Sequence, residues 1–253
     1  MVTITENIAV IAATAIASLL FMVMLNRLWP WGKRRPHNDL IGWQVSIPGT
    51  TYAVILGFML YTVWTSFGEA GLNVDLEANA VVDIYRLAEC LPEPQRTQLQ
   101  NLARSYVATA IEQEWPRMAN GEVPSRTSSI HREMWKTAIT ANPASPTEIN
   151  VQNKVLSQLS LLAQHRLTRL LQSADKLPSV LWCVLLVGGA LTIVAACTFG
   201  TDSLKLQTLQ VFSFSLLVSL ALFAIADIHR PSHGLIHISD HAFERARQVM
   251  QAP

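Results

Sequence analysis

Long runs without a charged residue lie near both ends of the chain, and a more polar stretch separates them. Two runs cover residues 8–25 and 43–67, and two more lie between Lys176 and Asp202 and between Lys205 and Asp227. A helix rises about 1.5 Å per residue, so about 20 apolar residues cross a hydrocarbon core of roughly 30 Å. The pattern therefore predicts four transmembrane helices, and the short connection between the last two predicts a helical hairpin.

The stretch between the second and third runs has apolar residues at helical spacing. Leucine, isoleucine and valine recur every few residues from Leu72 to Leu91, and no proline lies between Pro48 and Pro92. The second run is therefore predicted to leave the membrane as part of one continuous helix from about Thr51 to Cys90. A second helix is predicted to stop at Trp115–Pro116. A third is predicted to begin at the capping box Ser145–Glu148 and to reach the third run.

These elements predict an all-α fold class, with four transmembrane helices and a soluble helical insert between the second and the third. The boundaries predicted from the pattern are 1–67 for the first transmembrane pair, 68–176 for the insert, 177–227 for the hairpin and 228–253 for a C-terminal tail. A protein of this plan belongs in a cell membrane as a multi-pass protein, with the lipid bilayer as its first partner.

Composition narrows the possible functions. Only 15% of the residues are charged and the net charge is +1, which gives no reason to expect a nucleic-acid partner. Cys183 and Cys197 lie in an apolar run and leave only Cys90 outside, so no disulfide framework within one chain is expected. The chain has no glycine-rich phosphate loop and no nucleophile elbow, and the four runs lack charged residues. We therefore predict no enzymatic activity and no cofactor.

One stripe of the second run mixes hydroxyl, apolar and acidic side chains on a helical projection. Its members are Thr51, Ile55, Phe58, Thr62, Thr65, Ser66, Glu69, Asn73 and Glu77. In a symmetric oligomer the stripe would form rings: an apolar constriction at Ile55 and Phe58, and carboxylate rings at Glu69 and Glu77. The alternative is that the threonine hydroxyls bond to their own helix backbone and that the carboxylates are merely solvated.

Two further sets of polar residues invite a metal-binding interpretation. The first set is Asp75, Asn79, Asp83 and Arg86, on another face of the same helix. Hydrogen bonds and an ion pair with a neighbouring helix are the favoured interpretation, with a hard cation as the alternative. The second set is His229, His233, His237 and His241. The four-residue spacing suits a metal only on an uninterrupted helix, which Pro231 and Gly234 oppose, so no metal site is predicted.

Charge does not settle which side of the membrane the insert occupies. The linker after the first run carries Arg27, Lys33, Arg34 and Arg35, which favour a cytosolic linker. Basic residues also precede the third run and follow the fourth, on the side of the insert and of both termini. The two groups compete, so the positive-inside rule leaves the topology open.

Several short motifs together resemble the bestrophin-like family of bacterial membrane proteins. They are Trp64–Ala70, Val74–Ala80 and Asp83–Leu87 around the end of the second run, Glu114–Pro116, Leu177–Trp182, and Asp227–Pro231 with Gly234. The resemblance covers nearly the whole chain, and the motifs are specific only when taken together.

The resemblance implies an architecture and a function. Bestrophins are homopentameric ion channels with four spans per subunit, a large cytosolic helical region and a second span that lines the pore. This chain is accordingly expected to be a pentameric ion-channel subunit in the bacterial inner membrane, with the insert in the cytosol and inorganic ions as its partners. The alternative is a non-conducting scaffold or regulatory protein whose insert docks a partner. Neither the conducted ion nor the gating stimulus follows from the sequence.

Overall fold

A computed structural model of the chain describes residues 4–118, 125–174, 177–229, 231 and 235–251, and these residues form helices and connections without a strand. The helices are α1 (Ile4–Leu28), α2 (Trp31–Arg34), α3 (Asn38–Ala88), α4 (Gln95–Thr109), α5 (Trp115–Met118), α6 (Arg126–Thr140), α7 (Pro146–Ala174), α8 (Ser179–Cys197), α9 (Leu204–Ile228) and α10 (His241–Gln251). A 3₁₀ turn covers Arg35–His37 and a π turn covers Ala110–Glu114. The fold class is all-α, as predicted.

Four of these helices are long and apolar enough to cross a membrane. The candidate spans are Asn7–Leu28, Val45–Ala88, Ser179–Cys197 and Leu204–Ile228. They agree with the four runs found in the sequence. The chain divides into two compact units. The membrane unit comprises Met1–Ser66, Lys176–Arg230 and Gly234–Ile236, and the helical unit comprises Phe67–Asp175, Pro231–His233 and His237–Pro253.

Helix α3 confirms the continuous rod predicted from the absence of proline. It has 51 residues, and about 1.5 Å per residue gives a length of about 76 Å. The helix begins at Asn38 and continues through Pro48, so this proline does not mark the start of the second span. Gly68 and Gly71 lie within the helix without a break, because a glycine lowers helix stability but does not remove a backbone hydrogen bond.

The helix that was predicted to stop at Trp115–Pro116 does not stop there. A π turn at Ala110–Glu114 follows α4, and α5 then continues to Met118. Proline lacks an N–H and its ring clashes with the carbonyl four residues earlier in an α-helix. The π turn widens the helix around the carbonyl that would otherwise clash with the Pro116 ring. Its characteristic hydrogen bond runs from the Trp115 N–H to the Ala110 carbonyl, five residues earlier. The helix therefore continues past Pro116.

Tyr52 packs against the glycines of α8 in the membrane unit. Its hydroxyl donates to the Leu185 carbonyl over 2.8 Å, and its side chain is buried. A Cβ atom added to Gly188 would lie 2.5 Å from Tyr52 Cδ2. Real Cβ atoms do not approach other atoms so closely, so α8 needs glycine here for close contact with α3.

Replacing Gly188 with alanine is therefore expected to destabilise the membrane unit by about 1–3 kcal/mol through overpacking. Thermal melting of the full-length protein in detergent measures the effect. Gly57→Ala is the matched control, because a Cβ atom at Gly57 would have no atom of the described residues within 4 Å. The helix propensity gained is the same at both sites, so only the clash separates them. Equal melting temperatures would contradict the close contact.

Candidate functional site

The membrane part of the predicted stripe lies on the surface of the chain. Thr51, Phe58, Thr62, Ser66 and Glu69 are exposed, and the two remaining members, Ile55 and Thr65, are half-buried. In the most apolar 18-residue stretch of this span, only 6% of the residues are buried within the chain. The corresponding share is 33% in the spans of α8 and α9. Most of the surface of this span is therefore left to contact lipid, water or another chain.

The threonine hydroxyls of the stripe donate to their own helix. Thr51 donates to the Ile47 carbonyl over 3.0 Å, Thr62 to the Phe58 carbonyl over 2.8 Å and Thr65 to the Tyr61 carbonyl over 2.9 Å. These are the backbone bonds that the alternative interpretation of the stripe expected. A hydroxyl whose proton is used in this way still presents its oxygen lone pairs, so it can accept a hydrogen bond or contact a cation.

The end of the predicted stripe is wrong at two positions. Asn73 and Glu77 are buried in the helical unit, with exposed fractions of 8% and 0%. The Asn73 amide donates to the His165 carbonyl, and its oxygen contacts Nδ1 of the His165 ring, each over 2.8 Å. At about 100° per residue, position 77 lies about 80° further round the helix than position 51, so the stripe turns toward the packed face. Glu77 therefore cannot form an exposed carboxylate ring.

Glu77 instead pairs with a buried arginine of α7. Arg169 Nε donates to Glu77 Oε2 over 2.6 Å, and Arg169 Nη2 donates to Glu77 Oε1 over 3.0 Å. The Tyr106 hydroxyl of α4 donates to the same Oε1 over 2.8 Å. Both carboxylate oxygens have donors, so the buried charge is compensated by a bidentate guanidinium and a phenol.

A second carboxylate joins the first through the same arginine. Glu114, the last residue of the π turn, accepts from Arg169 Nη2 over 2.5 Å and from Arg166 Nη2 over 3.1 Å. Arg166 also donates to the Ser128 hydroxyl of α6 over 2.9 Å. We name Glu77, Glu114, Arg166, Arg169 and Tyr106 the buried charge cluster. It contains two carboxylates and two guanidinium groups, so it is electrically neutral.

The ionisation behaviour of the cluster follows from its pairing. Burial would raise the pKa of the Glu114 carboxyl, but Arg169 and then Arg166 outweigh it and hold this pKa below its ordinary value. Burial and the Glu77 carboxylate raise the pKa of Tyr106 well above its usual range. Burial would lower the pKa of Arg169, but Glu77 and Glu114 raise it. Glu114 and Arg169 are therefore charged, and Tyr106 is a neutral donor, at neutral pH.

The tail of the chain contributes to the surroundings of this cluster. The Arg169 guanidinium carbon lies 5.4 Å from the ring centre of Trp115 and 5.8 Å from that of Phe243, which belongs to α10. The two rings meet edge to face with their centres 6.0 Å apart. The cluster thus links α3, α7, the π turn and the C-terminal helix, and its chemistry is that of a structural anchor.

The other predicted polar set is only partly brought together. Asp75 pairs with Arg245 of α10 over 2.6 Å, which is the ion pair with a neighbouring helix that the sequence favoured. Asn79, Asp83 and Arg86 are exposed on α3. No group of three or more histidine, cysteine, aspartate or glutamate side chains within the described ranges is placed to hold a metal ion.

The histidine series is described at three of its four positions, and His233 lies outside the described residues. Nε2 of His229 accepts a hydrogen bond from the Leu177 N–H over 2.6 Å. His229 ends α9 as its C-cap, whereas His241 begins α10. The two ends of the series therefore belong to different helices, so it does not form one helical face.

The motifs along α3, the π turn and α9 lie within one stretch of the chain that a single family model matches. A model of the Bestrophin-like domain matches residues 12–243, which is nearly the whole chain. The chain belongs to the bestrophin-like family. No curated protein and no solved structure matches it. As a bestrophin-like protein with four candidate spans, it is a membrane protein.

Proposed function

We propose that this bestrophin-like chain is one subunit of an oligomeric ion channel, most simply a pentamer, whose pore is lined by α3. The observation that carries the proposal is the exposed stripe of α3, from Thr51 to Glu69, on a span that makes little contact within its own chain. Copies of the chain arranged around a symmetry axis would place their α3 stripes around a common pore. The proposal assigns ion conduction to the chain and no catalysis.

The proposed pore has two regions of different chemistry. Ile55 and Phe58 form an apolar region, and the Phe58 side chain is 69% exposed. A ring of such groups gates by dewetting without choosing between ions. Glu69 is exposed and follows Ser66, the last residue of the first segment of the membrane unit, by three positions in the chain. We place the helical unit and both termini in the cytosol, by analogy with bestrophins, so Glu69 would stand at the cytosolic mouth.

A second candidate is a non-conducting scaffold whose helical unit docks a partner. The observation in its favour is a pair of leucines one turn apart on α7, Leu167 and Leu171, which are 58% and 63% exposed. A partner helix could bury them. The same leucines would also suit contact between subunits, so they do not exclude a channel.

Conductance of the purified full-length protein in a planar lipid bilayer separates the two candidates. Mass photometry or native mass spectrometry first establishes that the oligomer is intact. The channel proposal expects stepwise currents that change when Phe58 is replaced by serine, because a hydroxyl hydrates the apolar ring and should raise the conductance severalfold. Leu217→Ser, on the exposed surface of α9, is the control substitution. An intact oligomer without current would favour the scaffold.

A further inference from the structure

The segment that joins α1 to α3 carries a group of exposed cations and indoles. Arg27, Lys33 and Arg35 are exposed. Trp29 and Trp31, which lie between Arg27 and Lys33 in the chain, are 38% and 43% exposed. We name residues 27–37 the basic loop. It begins in the last turn of the candidate span that ends at Leu28 and precedes the one that begins at Val45, so it lies at the end of two spans of the membrane unit.

A fourth cation of the loop is used differently. Arg34 is completely buried, and its Nη1 donates to the carbonyl of Cys197, the last residue of α8, over 2.8 Å. Its Nη2 donates to the amide oxygen of Asn26. A guanidinium at the C-terminal end of a helix satisfies a free carbonyl and opposes the negative end of the helix dipole. Arg34 therefore fixes the loop to α8 instead of facing outward.

A second contact holds the far end of the loop. The Asn38 side chain donates to the Gly200 carbonyl over 2.7 Å and accepts from the Gly200 N–H over 2.9 Å. A Cβ atom on Gly200 would lie 2.7 Å from the Arg35 nitrogen and 2.9 Å from the Trp31 carbonyl oxygen. Only glycine permits this close approach of the α8–α9 turn to the loop. The loop is thus held in one shape, with three cations left outside.

The charge of this end of the membrane unit remains positive when its neighbours are counted. The single acidic residue from 27 to 39 is Asp39, in the first turn of α3. The adjoining α8–α9 turn brings one exposed acid and one exposed base, Asp202 and Lys205, which cancel. The exposed loop cations therefore leave an excess of two positive charges at this end, with His37 taken as neutral.

We propose that the basic loop is a binding surface for anionic lipid headgroups. Arginine and lysine recognise phosphate oxygens, and a phosphate at the membrane surface lies at the level that interfacial tryptophans prefer. Because Arg34 and Asn38 fix the loop before lipid arrives, little conformational entropy is lost when a headgroup binds. The proposal concerns the leaflet at this end of the spans and does not depend on the ion-channel proposal.

Native mass spectrometry of the full-length protein in neutral detergent tests the surface with phosphatidylglycerol and phosphatidylcholine as probes. The variant is Arg27→Gln, Lys33→Gln and Arg35→Gln combined. Each cation near an anionic surface contributes about fivefold in affinity, so the triple variant should bind phosphatidylglycerol roughly a hundredfold more weakly. Phosphatidylcholine binding should not change. The matched control removes three exposed cations of the helical unit: Arg132→Gln, Lys136→Gln and Lys154→Gln.

Three outcomes would overturn the proposal. The first is equal phosphatidylglycerol binding by the triple variant and the unmodified protein. The second is an equal loss in the control variant, which would show only a response to net charge. The third is that millimolar inorganic phosphate displaces bound phosphatidylglycerol as effectively as added phosphatidylglycerol does. This result would indicate a site for free anions. The single variant Lys33→Gln, with an expected loss of about fivefold, provides the test if the triple variant does not fold.

Discussion

Replacing Arg169 with methionine is expected to destabilise the helical unit by about 3–5 kcal/mol. The change removes the guanidinium that binds both Glu77 and Glu114. Among the described residues, Glu77 then keeps only the Tyr106 hydroxyl as a donor. Methionine keeps most of the side-chain volume, so the loss of stability comes mainly from lost charge compensation and not from a cavity. The cost is large because the Glu77 carboxylate is fully buried and cannot recover its hydration.

Chemical unfolding of the full-length protein in detergent, followed by circular dichroism, measures this difference. Arg245→Gln is the matched control, because Arg245 also pairs with a carboxylate of α3, Asp75, over 2.6 Å. Its side chain is 65% exposed, so water screens the pair and the expected loss is below about 1 kcal/mol. Similar losses for the two variants would contradict the view that burial makes the Arg169 pair an anchor.

The four spans and the long helix could be predicted because they depend on local information. An uncharged run long enough to cross a bilayer indicates a transmembrane span whatever the run packs against. The absence of proline between Pro48 and Pro92 likewise indicates a continuous helix. The same local rule failed at Pro116, where a π turn accommodates the proline. Single-residue patterns do not indicate a π turn, because its cost is offset by tertiary contacts such as those of Glu114.

The buried charge cluster could not be predicted, because its members are far apart in the chain. Glu77 and Arg169 are 92 residues apart, and Glu114 and Arg169 are 55 apart. Arg166 and Arg169 are two of the basic residues that precede the third run, and no local pattern pairs them with Glu77 or Glu114. One signal was available in the tail, where Ala242, Phe243, Ala246 and Met250 recur at helical spacing and are buried in α10. That spacing indicated a packed helix in the segment predicted only as a tail.

Burial of Glu77 also changes what the proposed pore is expected to select. Two exposed carboxylate rings, at Glu69 and Glu77, would together favour cations at the mouth of a pore. Glu77 is neutralised inside its own subunit by Arg169, so its charge contributes little to the potential in a pore. Glu69 is exposed and carries the acidic character of the stripe alone. Thr51 and Thr62 add oxygen lone pairs, because their protons are used by the backbone, and lone pairs suit cations.

Replacing Glu69 with glutamine is therefore expected to shift the reversal potential toward anion permeation. In a tenfold KCl gradient an ideally selective pore gives about 59 mV, so a loss of most of the selectivity would move the reversal potential by tens of millivolts. Several carboxylates around one axis create a potential of several kT, which concentrates cations and repels anions. The shift should shrink at high salt, because the Debye length falls to about 3 Å at 1 M.

The control for this shift is Glu133→Gln, which removes another exposed carboxylate, on α6 and outside the stripe. Its reversal potential should match that of the unmodified protein, because Glu133 is not part of the proposed pore lining. Conduction that persists in Glu69→Gln with an unchanged reversal potential would show that Glu69 does not set selectivity. Selectivity would then depend on the remaining groups of the stripe, which are the backbone-bonded hydroxyls and the apolar region. A pore lined by these groups of α3 should discriminate only weakly between ions of opposite sign.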